Sequence, residues 1–155
     1  HVIRVAKIAQ LFDAAGVIYS VPDDMLHALW YKFMINVGIN QVSGVLLASY
    51  GVFQLIPEAE DLVEAAMREV ISVAEAKGIQ LDETDIANWR TVLAGINPEA
   101  HTSLVDDLLH GRPTEVEMLA GTVMRLGAEN EIPTPVNQML YQLIRTREEM
   151  AKLSL

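Results

Sequence analysis

Residues 30–47 read WYKFMINVGINQVSGVLL, and apolar side chains lie on every side of the helix that this stretch would form. A helix that is apolar all round belongs in a protein core, whereas a surface helix carries a single apolar stripe. Three polar residues recur at a spacing of four: Lys32, Asn36 and Asn40. Because a helix advances about 100° per residue, these positions lie within roughly 80° of one another. The sequence therefore predicts a narrow polar stripe on a buried helix.

The polar stripe needs partners if the helix is buried. A buried amide without a hydrogen bond costs about 1–3 kcal/mol, and an isolated ammonium costs more. A bound ligand would supply the partners, and a desolvated lysine is a stronger proton donor, which makes Lys32 a candidate general acid. The alternative is that Lys32 extends to solvent and that Asn36 and Asn40 bond neighbouring helices. Spacing alone leaves both interpretations open.

Helical periodicity continues on both sides of this stretch, which predicts an all-α domain. Asp23 or Asp24 offers an N-cap for the central helix, Thr114 and Glu117 form the pattern of a capping box, and Thr134 precedes a helix that starts with proline. No repeat or long linker divides the chain. The predicted helices are residues 2–15, 25–49, 58–77, 82–95, 103–109 and 116–127, and a last helix from residue 135 through at least residue 144.

Composition excludes several kinds of function. The net charge is -10, with 21 acidic and 11 scattered basic residues, so the chain lacks the basic patch that nucleic-acid binding requires. The sequence contains no run of 18 apolar residues, so we predict no membrane span. The chain has no cysteine, and its four histidines lack ligand spacing, so we predict no metal site and a cytoplasmic protein. No GxGxxG motif is present to hold a dinucleotide.

Two further candidates for substrate contact lie in residues 101–117, HTSLVDDLLHGRPTEVE. Ser103 precedes a short predicted helix, and Glu115 lies in the first turn of the next. Each has a structural alternative: Ser103 could cap its helix, and Glu115 could favour the positive end of a helix dipole. A nucleophilic triad is not predicted, because the sequence has no Ser-Gly elbow.

Three segments together resemble the C-terminal domain of ketopantoate reductase, also called 2-dehydropantoate 2-reductase. They are LWYKFMINVGINQVSG, HTSLVDDLLHGRPTEVEMLAG and EIPTPVNQMLYQLI, beginning at residues 29, 101 and 131. The resemblance implies a bundle-like helical domain of the kind found in 6-phosphogluconate-dehydrogenase-like reductases, without the N-terminal Rossmann domain. Residues 1–22 would be an interdomain junction helix with a short extended segment, and residues 23–155 the substrate-binding domain.

The resemblance also implies an NADPH-dependent enzyme that reduces 2-dehydropantoate to pantoate, a step toward pantothenate and coenzyme A. Lys32 falls on the family's catalytic lysine, which donates a proton and stabilises the oxyanion. Glu115 falls on the glutamate that orients this lysine and meets the substrate hydroxyl. Asn36, Asn40 and Ser103 fall on substrate-binding positions. NADPH would be bound mainly by the N-terminal domain, so this chain alone is expected to be inactive.

One departure leaves the substrate open. Some family members carry a substrate-contacting asparagine before a glycine after the central helix, where this chain has Tyr50 before Gly51. The same reductase class acting on another 2-oxo acid is therefore an alternative. A noncatalytic helical module for dimerisation is another. The chain starts at His1 within a helical pattern, which predicts a piece of a longer protein. The resemblance implies that its partners are its Rossmann domain, the substrate and a second copy in a homodimer.

Overall fold

The computed structural model describes residues 2–153, and within this range it contains helices and turns without strands, which confirms the all-α prediction. Two segments have π-helical hydrogen bonding, π1 (Asn36–Asn40) and π2 (Glu117–Gly121). The α-helices are α1 (Val2–Ala15), α2 (Met25–Ile35), α3 (Gln41–Leu46), α4 (Tyr50–Leu55), α5 (Pro57–Ala76), α6 (Glu83–Ala94), α7 (Ser103–Leu109), α8 (Thr122–Glu129) and α9 (Pro135–Lys152).

Helix α5 lies at the centre of the fold and packs against α2, α4, α8, α9 and π1. Its buried face includes Val63, Met67 and Val70, which follow one another at helical spacing. Helix α5 and π1 approach each other closely at Gly38, where an added Cβ would lie 2.8 Å from the Met67 Cγ. Glycine at this position therefore allows π1 to lie directly on α5.

The predicted helix over residues 25–49 is divided in the structure. It runs as α2, π1 and α3 and ends at Leu46, after which Leu47 takes a left-handed backbone conformation with φ of 50°. Two side chains bond carbonyls of the π1 backbone: Gln41 Nε2 donates to the Val37 carbonyl at 2.7 Å, and Ser43 Oγ donates to the Asn40 carbonyl at 3.1 Å. Local side chains thus support the π turn.

Several predicted helix ends are confirmed. The Asp24 carboxylate accepts the first hydrogen bond of α2, and Asp82 forms a capping box at the start of α6. Gly16, Gly78 and Gly111 follow α1, α5 and α7 with positive φ values of 67°, 72° and 63°. These are the positions at which glycine ends a helix at least steric cost.

The predicted cap of the last helix is wrong. Thr134 makes no side-chain capping bond to α9. Instead, the carboxylate of Glu69 on α5 accepts hydrogen bonds from the backbone N–H groups of Val136 at 2.7 Å and Asn137 at 2.9 Å. A carboxylate from another helix therefore satisfies the free N–H groups and meets the positive end of the α9 dipole.

Helix α4 is not among the predicted helices, because Gly51 near its start and Pro57 just beyond its end suggest a loop. The structure explains the glycine: its N–H donates to the Pro98 carbonyl at 2.9 Å, and an added Cβ would lie 3.1 Å from that oxygen. Within residues 2–153, no helix combines the length and hydropathy needed to cross a bilayer.

Candidate active site

A cleft of about 230 Å³ opens beside α2 and the segment that leads into π2. Both π segments border it and contact each other, and π-helical turns occur often at functional sites. The cleft brings together three of the five predicted site residues. It is lined by Leu29, Lys32, Phe33, Asn36, Glu115, Met118 and Leu119.

Lys32 and Asn36 lie one helical turn apart and face the cleft together, as their spacing predicts. The prediction that the whole central helix is buried is wrong at Lys32. Residues 37–44 are buried, whereas Lys32 is exposed and Asn36 is partly buried. Burial begins where the helix meets α5 through π1, so the ammonium group of Lys32 remains at the open side of the cleft.

Glu115 reaches the cleft from the turn before π2, and its side chain is exposed. Its carbonyl accepts hydrogen bonds from the N–H groups of Met118 at 2.9 Å and Leu119 at 3.0 Å, which begin the helix. Lys32 and Glu115 line the same cleft without forming an ion pair, although their charges are opposite. A polar substrate lying between the two groups could contact both.

Asn40 and Ser103 are not among the residues that line the cleft. The two residues are connected through their neighbours. Ser43 Oγ donates to the Asn40 carbonyl and lies 2.8 Å from Oγ1 of Thr102, the residue before Ser103. The capping alternative for Ser103 is wrong, since Thr102 caps α7 by accepting from the Val105 N–H at 3.4 Å. Ser103 is exposed in the first turn of α7, and Asn40 retains 9% exposure.

The π1 turn changes the direction in which Asn40 lies. In a π turn the hydrogen bonds span five residues instead of four, so each residue advances less about the helix axis than in an α-helix. Asn40 is the last residue of π1. It therefore lies closer to the direction of Lys32 than the roughly 80° expected for an unbroken α-helix. The π turn therefore reduces the angle about the helix axis over which Lys32, Asn36 and Asn40 are spread.

The five predicted site side chains share one property within residues 4–153: none forms a hydrogen bond or ion pair with another described side chain or backbone group. Among their neighbours, Gln41 Nε2 and the hydroxyls of Ser43 and Thr102 are bonded, whereas the buried Gln41 Oε1 has no partner in the described chain. The alternative is therefore confirmed for Lys32, which extends to solvent, and wrong for Asn36 and Asn40, which do not bond neighbouring helices. Polar groups without partners, three of them in one cleft, are available to a ligand.

A family model described as "Ketopantoate reductase PanE/ApbA C terminal" matches residues 24–148. The chain belongs to this family. The 2-dehydropantoate 2-reductases of Halobacterium salinarum and Vibrio cholerae are 33% and 30% identical to it over 142 residues, or 92% of this chain. The aligned regions make up 46% and 48% of those proteins, so the chain spans about half the length of the curated relatives that it matches.

Solved structures agree with this assignment. A PanE/ApbA-family ketopantoate reductase from Ralstonia eutropha is 30% identical and superposes with a TM-score of 0.85, over 95% of this chain and 49% of that one. A D-mandelate dehydrogenase in complex with NADH and anilino(oxo)acetate superposes with a TM-score of 0.88 over 97% of this chain and 49% of that one. At 21% identity, the dehydrogenase shows a shared fold.

Helix α9 holds the backbone on both sides of Glu115. The Thr114 N–H and hydroxyl each donate to the Glu148 carboxylate at 2.7 Å, and the Tyr141 hydroxyl donates to the Glu117 carboxylate. These bonds take the place of the predicted capping box between Thr114 and Glu117, which is wrong. Contacts across 34 and 24 residues leave no local pattern by which the sequence could reveal them.

The carboxylate of Glu148 makes stability depend on pH. Burial raises its pKa, but the hydrogen bonds from Thr114 and the ion pair with Arg145 outweigh this and hold the pKa below its usual 4.5. A depressed carboxylate pKa stabilises the fold fully above the unfolded-state value, and this stabilisation is lost as pH falls through the folded-state value. Urea unfolding at several pH values should therefore show a shallower loss of stability below about pH 4.5 in Glu148→Gln than in wild type. Equal slopes would contradict the assignment.

Tyr50, the departure from some family members, is not part of the cleft lining. It begins α4, where its N–H donates to the Ala100 carbonyl at 3.0 Å, and burial raises the pKa of its phenol. Two lining residues that spacing does not single out, Leu29 and Met118, are 57% and 69% exposed at the cleft. In the sequence, both fit the apolar periodicity of core residues, so only the folded structure shows that they are exposed at the cleft.

Proposed function

We propose that this chain is the substrate-binding and catalytic half of an NADPH-dependent reductase that converts 2-dehydropantoate to pantoate. The observation that carries the proposal is the cleft in which Lys32, Asn36 and Glu115 converge without partners from the described chain. Membership in the family supports the reaction class. The proposal includes a role in pantothenate and coenzyme A biosynthesis in the cytoplasm.

Each cleft residue has a role that its chemistry supports. Lys32 donates a proton to the ketone oxygen of the substrate, and its positive charge stabilises the negative charge that develops there. Glu115 faces Lys32, orients the ammonium group by charge attraction and accepts a hydrogen bond from the substrate hydroxyl. Asn36 offers both a donor and an acceptor to the polar groups of the substrate. NADPH, when bound, supplies the hydride that completes the reduction.

Asn40 and Ser103 would extend the substrate site beyond the cleft. The Asn40 amide and the Ser103 hydroxyl have no hydrogen-bond partner in the described chain, and their neighbours Ser43 and Thr102 bond to each other. The bonded pair fixes the start of α7 against the polar stripe. A substrate that reaches from Lys32 along this stripe would meet these two groups. We therefore assign both as substrate-binding residues.

The exposed apolar surface fits a domain that covers the cleft. Leu29 and Met118 border the cleft, and Val5, Ile8 and Leu11 on α1 are also exposed. Apolar surface of this kind is typical of an interface. We propose that a Rossmann domain carries NADPH and packs here, with residues 1–22 as the junction and residues 23–155 as the substrate domain. Neither part would be active alone. A homodimer of the whole reductase is included in the proposal.

The proposal is tested by measuring reduction of 2-dehydropantoate with NADPH by the protein that contains both domains. Among a panel of 2-oxo acids, 2-dehydropantoate should give the highest kcat/KM. Asn36→Ala should raise KM roughly tenfold, because a lost hydrogen bond to a bound polar group costs about 1–3 kcal/mol. Asn88→Ala, an exposed substitution on α6, is the matched control and should leave KM unchanged. An unchanged KM in Asn36→Ala, or a higher kcat/KM for another 2-oxo acid, would count against the proposal.

A further inference from the structure

The Glu148 carboxylate is buried, and its hydrogen bonds and ion pair are made to Thr114 and Arg145. Its side chain is 5% exposed. Oε1 accepts two hydrogen bonds from Thr114, each at 2.7 Å, and Oε2 pairs with Arg145. A buried carboxylate is costly unless both oxygens are bonded, and here both are. The fold therefore uses a buried charge to hold a turn that has no regular secondary structure.

That turn carries Glu115. The backbone before it is fixed through Thr114, and the backbone after it is fixed through Glu117, which accepts from the Tyr141 hydroxyl. Tyr141 and Glu148 are seven residues apart on α9, so they project from the same face two turns apart. The Glu115 side chain has no partner in the described chain, so its direction depends on the backbone that α9 holds.

We infer that Glu148 is a positioning residue for Glu115: by holding Thr114 through two hydrogen bonds, it fixes the direction in which the Glu115 carboxylate enters the cleft that it shares with Lys32. The inference rests on the proposed function for its effect on catalysis. The contacts themselves do not depend on that function. The Thr114 hydroxyl also accepts a hydrogen bond from the Val116 N–H at 3.3 Å, so the backbone is constrained on both sides of Glu115.

The test is a double-mutant cycle in the two-domain reductase. Glu148→Gln should lower kcat roughly tenfold or more, because small misplacements of a catalytic group cost up to about a hundredfold. It should also raise KM, because Glu115 binds the substrate hydroxyl. In a Glu115→Ala background the same substitution should lower kcat less than about twofold, since no carboxylate remains to be positioned. Glu149→Gln, on the next and exposed residue, is the matched control and should keep wild-type kcat.

A purely structural role predicts a different result. It would lower kcat by the same factor in both backgrounds, and that outcome would overturn the inference, as would an unchanged kcat in Glu148→Gln. If Glu148→Gln does not fold, Thr114→Val serves as the second variant, because it removes only the hydroxyl that donates to Glu148. It should lower kcat in the wild-type background and not in the Glu115→Ala background. Thr114→Ser keeps both donors and should restore kcat.

A second measurement separates this inference from the proposed function. If the wild-type reductase reduces none of the 2-oxo acids, the proposed function fails. The positioning contact is then decided by amide hydrogen exchange in the 155-residue chain. Exchange at Thr114 and Val116 should be at least roughly tenfold faster in Glu148→Gln, because the Thr114 N–H donates to Glu148 and the Val116 N–H donates to the Thr114 hydroxyl that Glu148 holds. A neutral amide is a weaker acceptor than a carboxylate. Unchanged exchange at both amides would overturn the inference.

Discussion

Lys32→Ala in the two-domain reductase is expected to lower kcat by roughly 10²–10⁴-fold, the range that a positioned general acid contributes. The substitution removes both the proposed proton donor and the positive charge from the cleft that Lys32 shares with Glu115. Because Lys32 is exposed and without a partner in the described chain, its loss should leave the fold intact. Steady-state oxidation of NADPH with 2-dehydropantoate measures kcat, and thermal unfolding checks the fold.

Two further variants separate the roles of Lys32. Lys32→Arg keeps the positive charge, but a guanidinium does not release its proton in proteins. Its kcat should therefore stay close to that of Lys32→Ala if proton donation dominates, whereas recovery of most of the activity would show that charge alone is needed. Lys77→Ala, at an exposed position just after α5, is the control for loss of a lysine and should retain wild-type kcat. A wild-type rate in Lys32→Ala would refute the assignment.

Local sequence signals predict most of the helices, because their causes lie within a few residues. Asp24 and Asp82 cap helices through bonds to residues two or three positions later. The bounds of α7 are those predicted, residues 103–109, and α5 begins and ends one residue earlier than predicted. These boundaries coincide with local signals: a capping side chain at the start of α2, α6 and α7, and a glycine with positive φ after α5 and α7.

Features that depend on distant contacts are not predicted. Glu69 caps α9 from 67 residues away, and Glu148 bonds Thr114 from 34 residues away, so neither pair leaves a local pattern. The π turns are also absent from the prediction, since the π1 sequence fits an α-helix and its departure accompanies packing on α5 at Gly38. Tertiary packing outweighs the local preference at these positions.

The candidate site is predicted only in part, because some of its features are local in sequence and others depend on tertiary packing. A four-residue spacing is a local property, and it places Lys32 and Asn36 together in the cleft. Which residues face them from elsewhere in the chain is decided by packing, and the resemblance to a known family, not the spacing, is what pairs them with Glu115. Ser103 and Thr102 both fit the pattern of an N-cap, and only the backbone geometry shows that Thr102 takes that role.

Gly44→Ala is expected to lower the free energy of unfolding by about 1–3 kcal/mol, the cost of overpacking a well-packed core. Gly44 lies in α3 where that helix packs on α7, and an added Cβ would be 2.2 Å from the Leu104 Cδ2 and 3.3 Å from the Leu108 Cδ1. Leu104 is 2% exposed, so it has little room to move away. Urea unfolding of the 155-residue chain measures the change.

The cause of this loss can be isolated with two comparisons. Gly95→Ala is the matched control, because Gly95 is exposed and an added Cβ would lie 3.5 Å from its nearest neighbour, so the change should stay within about 0.5 kcal/mol. Leu104→Ala alone should cost about 2–5 kcal/mol. The double variant should cost less than the sum of the two single changes, because the alanine at position 104 removes the atom with which the new Cβ collides. Strict additivity would show that Leu104 is not what excludes a side chain at Gly44, and that the approach of α3 to α7 is limited by other contacts.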